Sequence, residues 1–118
     1  MATVAKLISS DVTERGILAV VGVTLSGNYG TAPSNGDALD LSQLGIPSNT
    51  VPMLLGQTEQ PAQGTAPTGY AYYYIPGTTQ ANGLLALMNG TTQFTAGNAY
   101  AGQTAAVILL TFLFPSFI

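Results

Sequence analysis

The chain closes on a segment that few folds accommodate. From Ala105 to Phe114 it reads "AAVILLTFLF", with Thr111 as its one polar side chain. This is about half of the ~20 apolar residues a membrane-spanning helix needs, and Pro115 stops any helical continuation. A strand buried on both sides is what remains. Strand alternation puts Ile108, Leu110, Phe112 and Phe114 on one face, and Val107, Leu109 and Leu113 on the other. A two-sheet sandwich covers one of these faces. Leaving three or four large apolar side chains wet forgoes on the order of 5–10 kcal/mol, comparable with the ~5–15 kcal/mol net stability of a whole domain. The segment therefore predicts association. Its second face should pack on another copy or on a larger assembly, extended by Phe117 and Ile118.

The rest of the chain is cut into short pieces. Fourteen Gly and seven Pro are spread through 118 residues and leave no room for a long helix. Between them lie runs rich in Val, Ile, Leu, Tyr, Phe and Thr, which predict seven or eight strands of an all-β sandwich or barrel in a single domain. "GILAVVGVTLSG" alternates Ile17, Ala19, Val21, Val23 and Leu25 against a face that turns polar toward Ser26. "VPMLLGQT", "YAYYYIPG" and "LLALM" read as strands, "SQLGIPSN" as one helical turn, and "EQPAQGTAPTG" as loop. In the tyrosine strand Tyr70, Tyr72 and Tyr74 share one face, opposite Ala71, Tyr73 and Ile75, and the tyrosines suit core and cross-strand packing first, then a subunit interface or a sugar platform. Residues 1–13 fall outside the strand spacing and read as an N-terminal arm, leaving 14–118 as the sandwich. The arm offers Val4, Leu7 and Ile8 as contacts.

Charge narrows the function. Only 6% of residues are charged, Lys6 and Arg15 are the sole cations, and the net charge is -3. Nucleic acid and polybasic membrane attachment both need clustered cations, so neither is expected as a partner. The chain has no His and no Cys, which removes the usual general base, the thiolate and the commonest metal ligands. Asp37 and Asp40 are the best carboxylate pair, but "DALD" supplies two ligands at most and reads as turn and capping residues. Neither glycine-rich phosphate pattern occurs. No catalytic residue, cofactor or metal is expected, and the chain reads as a non-enzyme. The N-terminal segment is interrupted by Asp11, Glu14 and Arg15, unlike a secretory signal.

"ERGILAVVGVTLSGNYGT", followed by "GDALDLSQLGI", the "GYAYYYIPG" strand and a late apolar strand, resembles small structural proteins of tailed bacteriophages. These are the capsid decoration or cement proteins and related minor head proteins. The likeness runs roughly from Glu14 to Phe114, with "NYGT…GDALDLS" its most specific part. It implies an antiparallel β-sandwich, often jelly-roll-like, with an extended N-terminal arm. It also implies a position on the capsid exterior, at joints between copies of the major capsid protein, commonly as a homotrimer, with synthesis in the host cytoplasm. The interface expected on this basis comprises Val4, Leu7, Ile8, Tyr72, Tyr74, Ile108, Leu110, Phe112, Phe114, Phe117 and Ile118. The strongly apolar C-terminus departs from the family. Two other readings use the same features: a self-assembling shell, fibre or tube protein, and a receptor- or glycan-binding knob built on the tyrosines and the loop from Glu59 to Gly69.

Overall fold

The computed structural model describes residues 2–13, 16–26, 29, 36–46, 50–90, 92–93 and 106–115. They form β1 (Ala2–Thr13), β2 (Gly16–Ser26), β3 (Asp37–Leu39), a 3-10 turn (Ser42–Leu44), β4 (Met53–Gln60), β5 (Ala71–Ile75), β6 (Gly83–Asn89), β7 (Thr92–Gln93) and β8 (Val107–Pro115). Every strand pairing is antiparallel. One sheet has the order β1-β2-β8-β4 and the other β3-β6-β5, with β7 also on β6. The two sheets enclose a single core, which makes the fold an all-β sandwich.

The closing strand sits inside the first sheet, between β2 and β4. Its burial alternates along the whole length: Ile108, Leu110, Phe112 and Phe114 are 0% exposed, and the residues between them are half-buried. Across from them lie Val23, Val21, Ala19 and Ile17 of β2, all buried. Both central strands thus send one apolar row inward, as their alternation predicts. The second sheet answers with Leu85 and Leu87 of β6, Tyr72 and Tyr74 of β5, and Leu39 of β3. Phe112 meets Tyr74 edge-on, with ring centroids 5.1 Å apart at 83°, the arrangement favoured by the ring quadrupoles.

Two local features complete the second sheet. On the edge of β6 away from β5, β3 pairs as far as Leu85 and β7 begins at Met88. Leu87 faces the gap, and its N–H donates to the Tyr29 hydroxyl at 3.1 Å, so a buried tyrosine supplies the missing ladder acceptor. The expected helical turn forms at Ser42–Leu44 and ends on Gly45 at φ 73, where a side chain would be strained.

The N-terminal segment is the main departure from expectation. Ala2–Thr13 does not stand apart as an arm but pairs with β2 from Ala2↔Ser26 to Thr13↔Gly16, as an edge strand of the first sheet. A bulge at Ile8, between Leu7 and Ser9, breaks the alternation of its apolar residues, which hides the strand from a period-two reading. The β1–β2 connection closes on Gly16 at φ 151, where an added Cβ would lie 2.2 Å from the Phe114 carbonyl oxygen.

Two substitutions test this core. Phe112→Ala should cost about 3–5 kcal/mol in denaturant unfolding, since it empties a fully enclosed site. The Tyr74 hydroxyl is buried with no hydrogen-bond partner, so Tyr74→Phe should leave stability unchanged or raise it by up to ~1 kcal/mol.

Candidate docking face

Only one side of the first sheet faces the core. The other side carries Leu18 and Val20 of β2 with Val107, Leu109 and Leu113 of β8, all half-buried side by side. Leu18 lies opposite Leu113, which lies opposite Met53 of β4, so one apolar row crosses three strands. Met53 is 52% exposed, and Leu55, the extra residue of a bulge in β4, is 56% exposed. At the far edge Val4 and Ile8 of β1 are also more than half exposed. Ile8 folds over Gly22, where an added Cβ would meet its Cδ1 at 3.0 Å and Val107 Cγ1 at 3.4 Å. Gly22 therefore lets Ile8 and Val107 close over the backbone between them. Beyond this local cover, no described strand stacks on the face.

Thr111, Gly56 and Thr58 lie among the apolar groups, with Lys6 and Asp11 on the outermost strand. The face is thus apolar in the middle with charge at its rim, a pattern that often marks association surfaces.

The row of β8 that the sequence analysis expects at an interface is the row that the structure buries. Ile108, Leu110, Phe112 and Phe114 are enclosed by the second sheet of the same chain and cannot touch a partner. Val107, Leu109 and Leu113 carry the outward side. Tyr72, at 1% exposure, and Tyr74, turned toward Phe112, are likewise core residues rather than interface residues. Leu7 packs partly against the core, while Val4 and Ile8 lie on the outer side. Phe117, Ile118, Glu14 and Arg15 lie outside the described residues. Of the four tyrosines proposed as a sugar platform, Tyr73 alone turns outward.

A polar cluster that sequence reasoning missed ties the sheets at their β4–β5 edge. Glu59 Oε2 accepts from the Thr68 hydroxyl at 2.6 Å and from the Tyr72 hydroxyl, and Glu59 Oε1 accepts from the Thr68 N–H. The side-chain oxygen of Gln57, two residues earlier, accepts from the Tyr72 N–H. The β4 bulge just before these residues obscures the parity that puts both on the inner face. Burial pushes the Glu59 carboxyl up, but the hydrogen bonds from Thr68 and Tyr72 outweigh it and hold the group below the ordinary value. Tyr72 is raised far above the ordinary phenol, by burial first and then by its bond to Glu59 and that group's charge. Beside the cluster is a cavity of about 160 Å³, lined mainly by Pro61, Ala62, Thr65, Ala66 and Ala106. With both Glu59 oxygens occupied, the cluster acts as a latch between sheets.

Asp37 and Asp40 do not converge on a cation site. Asp37 is buried on the inner side of β3, whereas Asp40 is exposed and accepts from the Ser42 N–H at 2.9 Å and the Ser42 hydroxyl at 2.5 Å. Among the described residues no group of three or more potential metal ligands occurs, and no helix is long and apolar enough to cross a membrane. No family model matches this sequence, and neither a curated protein nor a solved structure does.

The latch predicts a pH response. Because folding depresses the Glu59 pKa, its contribution is present above the ordinary glutamate range and is lost as pH falls through the lowered value. Tyr72 works in the opposite sense, with its contribution present below about pH 10 and lost above it. Glu59→Gln should lower the thermal midpoint at pH 7 and flatten its decline as pH falls below the ordinary glutamate value of about 4.3. A variant that declines as steeply as the parent would remove the latch from the account.

Proposed function

We propose that this protein is a non-enzymatic virion structural protein of the capsid-decoration class, attached to a shell through the outer face of its four-stranded sheet. The observation that carries this reading is the apolar row Leu18, Leu113 and Met53, continued by Val20 and Leu109, on a face that no described strand covers. Covering it against a capsid surface removes several large side chains from water, each worth ~1.5–3 kcal/mol when fully buried. The low charge of the chain suits this role, because few ions would have to be stripped of water at the contact.

The winding of the strands supports the same reading. From β2 to β5 the chain alternates between sheets at each step, and β8 returns to lie beside β2. Alternation of this kind is how a jelly roll is wound, and jelly rolls recur in viral capsid domains. The resemblance of the "NYGT…GDALDLS" region to phage decoration proteins points the same way, and its Tyr29 plugs the gap in the β6 ladder. In this scheme the protein adds buried surface across boundaries between major capsid proteins and so raises the cost of separating them.

Removal of residues 112–118 is a poor test of this scheme, because it deletes two core aromatics along with the tail. Leu109→Glu is the informative variant, since it places a charge on the outer face alone. Mass spectrometry of purified particles from the phage that carries this gene should find the chain in fixed ratio to the major capsid protein. The Leu109→Glu protein should fold, by circular dichroism, and fall at least tenfold in particle content. Particles without the chain, or incorporation of the variant at the parent level, would overturn the reading.

A further inference from the structure

We infer that β1 is a self-recognition edge. Two copies of the chain pair their β1 strands antiparallel about a two-fold axis between Ile8 and Ser9, joining two four-stranded sheets into one of eight. The inference rests on the geometry of the edge and not on the virion reading.

Among the described residues, no strand pairs with the outer edge of β1, although it is 12 residues long. Such an edge is a template for another strand. A proline within it would block pairing, and it has none. The register with β2 fixes which way each side chain faces. Val4, Lys6, Ser9, Asp11 and Thr13 lie on the outer side, and Ala5, Leu7, Ser10 and Val12 on the inner side. Ile8, the bulge residue, joins the outer group by folding over Gly22. The bulge therefore reverses the parity of the strand halfway along.

That reversal singles out one two-fold register. With Ile8 opposite Ser9 of the second copy, Leu7 meets Ser10, Lys6 meets Asp11, Ala5 meets Val12 and Val4 meets Thr13. Every pair then lies on a common side. Sliding the partner by one residue sets Lys6 against Ser10 or Val12, which point the other way. Sliding by two opposes Leu7 to Ile8, or Ser9 to Ser10, again across sides. Only where bulge faces bulge do the strands match throughout.

The same register satisfies the charges. Lys6 and Asp11 are both exposed. Along one strand they are about 15 Å apart, too far to pair with each other. Across the two-fold each Lys6 stands opposite an Asp11, giving two ion pairs. Val12, at 85% the most exposed large apolar side chain described, gains the partner's Ala5 as a neighbour. A lysine and a bulge ordinarily blunt an edge against arbitrary strands. Here they fit a copy of themselves in a single register, which is how specificity arises from features that repel other partners.

The test uses the full chain alone. Sedimentation equilibrium at tens of micromolar should give twice the 12.1 kDa chain mass. Lys6→Asp and Asp11→Lys should each weaken the dimer by about tenfold or more, since each turns two attractions into repulsions. The double variant K6D/D11K should recover most of the loss. Lys6 is the only lysine in the sequence, so carbodiimide coupling, which adds no spacer, should yield a Lys6–Asp11 linked peptide that must come from two chains. A monomer, a trimer, or a dimer indifferent to both reversals and lacking that linked peptide would overturn the inference. Loss of particle attachment in Leu109→Glu with the dimer intact would separate this edge from the docking face.

Discussion

The strand at the centre of the first sheet governs the rest of the structure. β8 pairs with β2 on one side and β4 on the other, so its backbone groups are satisfied along both edges. Its inward row, Ile108, Leu110, Phe112 and Phe114, supplies the deepest part of the core. A strand so placed can have its second face dried only by something stacked on the sheet, and no described strand does so. The inward row that fills the core and the outward apolar row thus come from the same nine residues.

Several polar groups among the described residues settle the geometry of the fold. Tyr29 completes a ladder, Glu59 and Gln57 join β4 to β5, and Thr50 donates to the Pro115 carbonyl at 2.7 Å, anchoring the end of β8. Each lies where regular sheet pairing runs out and a buried or half-buried backbone or hydroxyl group needs a partner. The arrangement explains how a chain with so few charges remains specific in its fold: a small number of directed hydrogen bonds fix the edges of a core that is otherwise held by non-directional burial.

Much of the fold was legible because strands with one buried face write a period of two into the sequence. β2 and β8 carry that pattern without interruption, and the sequence showed which of their residues share a side. β5 was similarly clear in its alternation of tyrosines, which left core packing and an interface both open; the structure turns Tyr72 and Tyr74 inward, one hydroxyl reaching Glu59 and the other ending in the core. β1 and the inner face of β4 were obscured by bulges, since one inserted residue reverses every subsequent side. The outward face of β8 was half legible. Sequence showed that β8 has two apolar faces but carries no mark for which one the second sheet covers.

Local chemistry by itself determined that the chain is all-β, that its final segment is a strand apolar on both sides, and that it lacks the histidine, cysteine and cation clusters on which common sites depend. These follow from side-chain type, spacing and chain-breaking residues, which are properties of neighbours along the chain. Tertiary structure alone decided that β8 lies between β2 and β4, that Tyr72 reaches Glu59, and that the N-terminal segment is an edge strand with Lys6 and Asp11 on one side. Those outcomes depend on which distant strands pair and in what register, and register is set by the packing of all the faces at once.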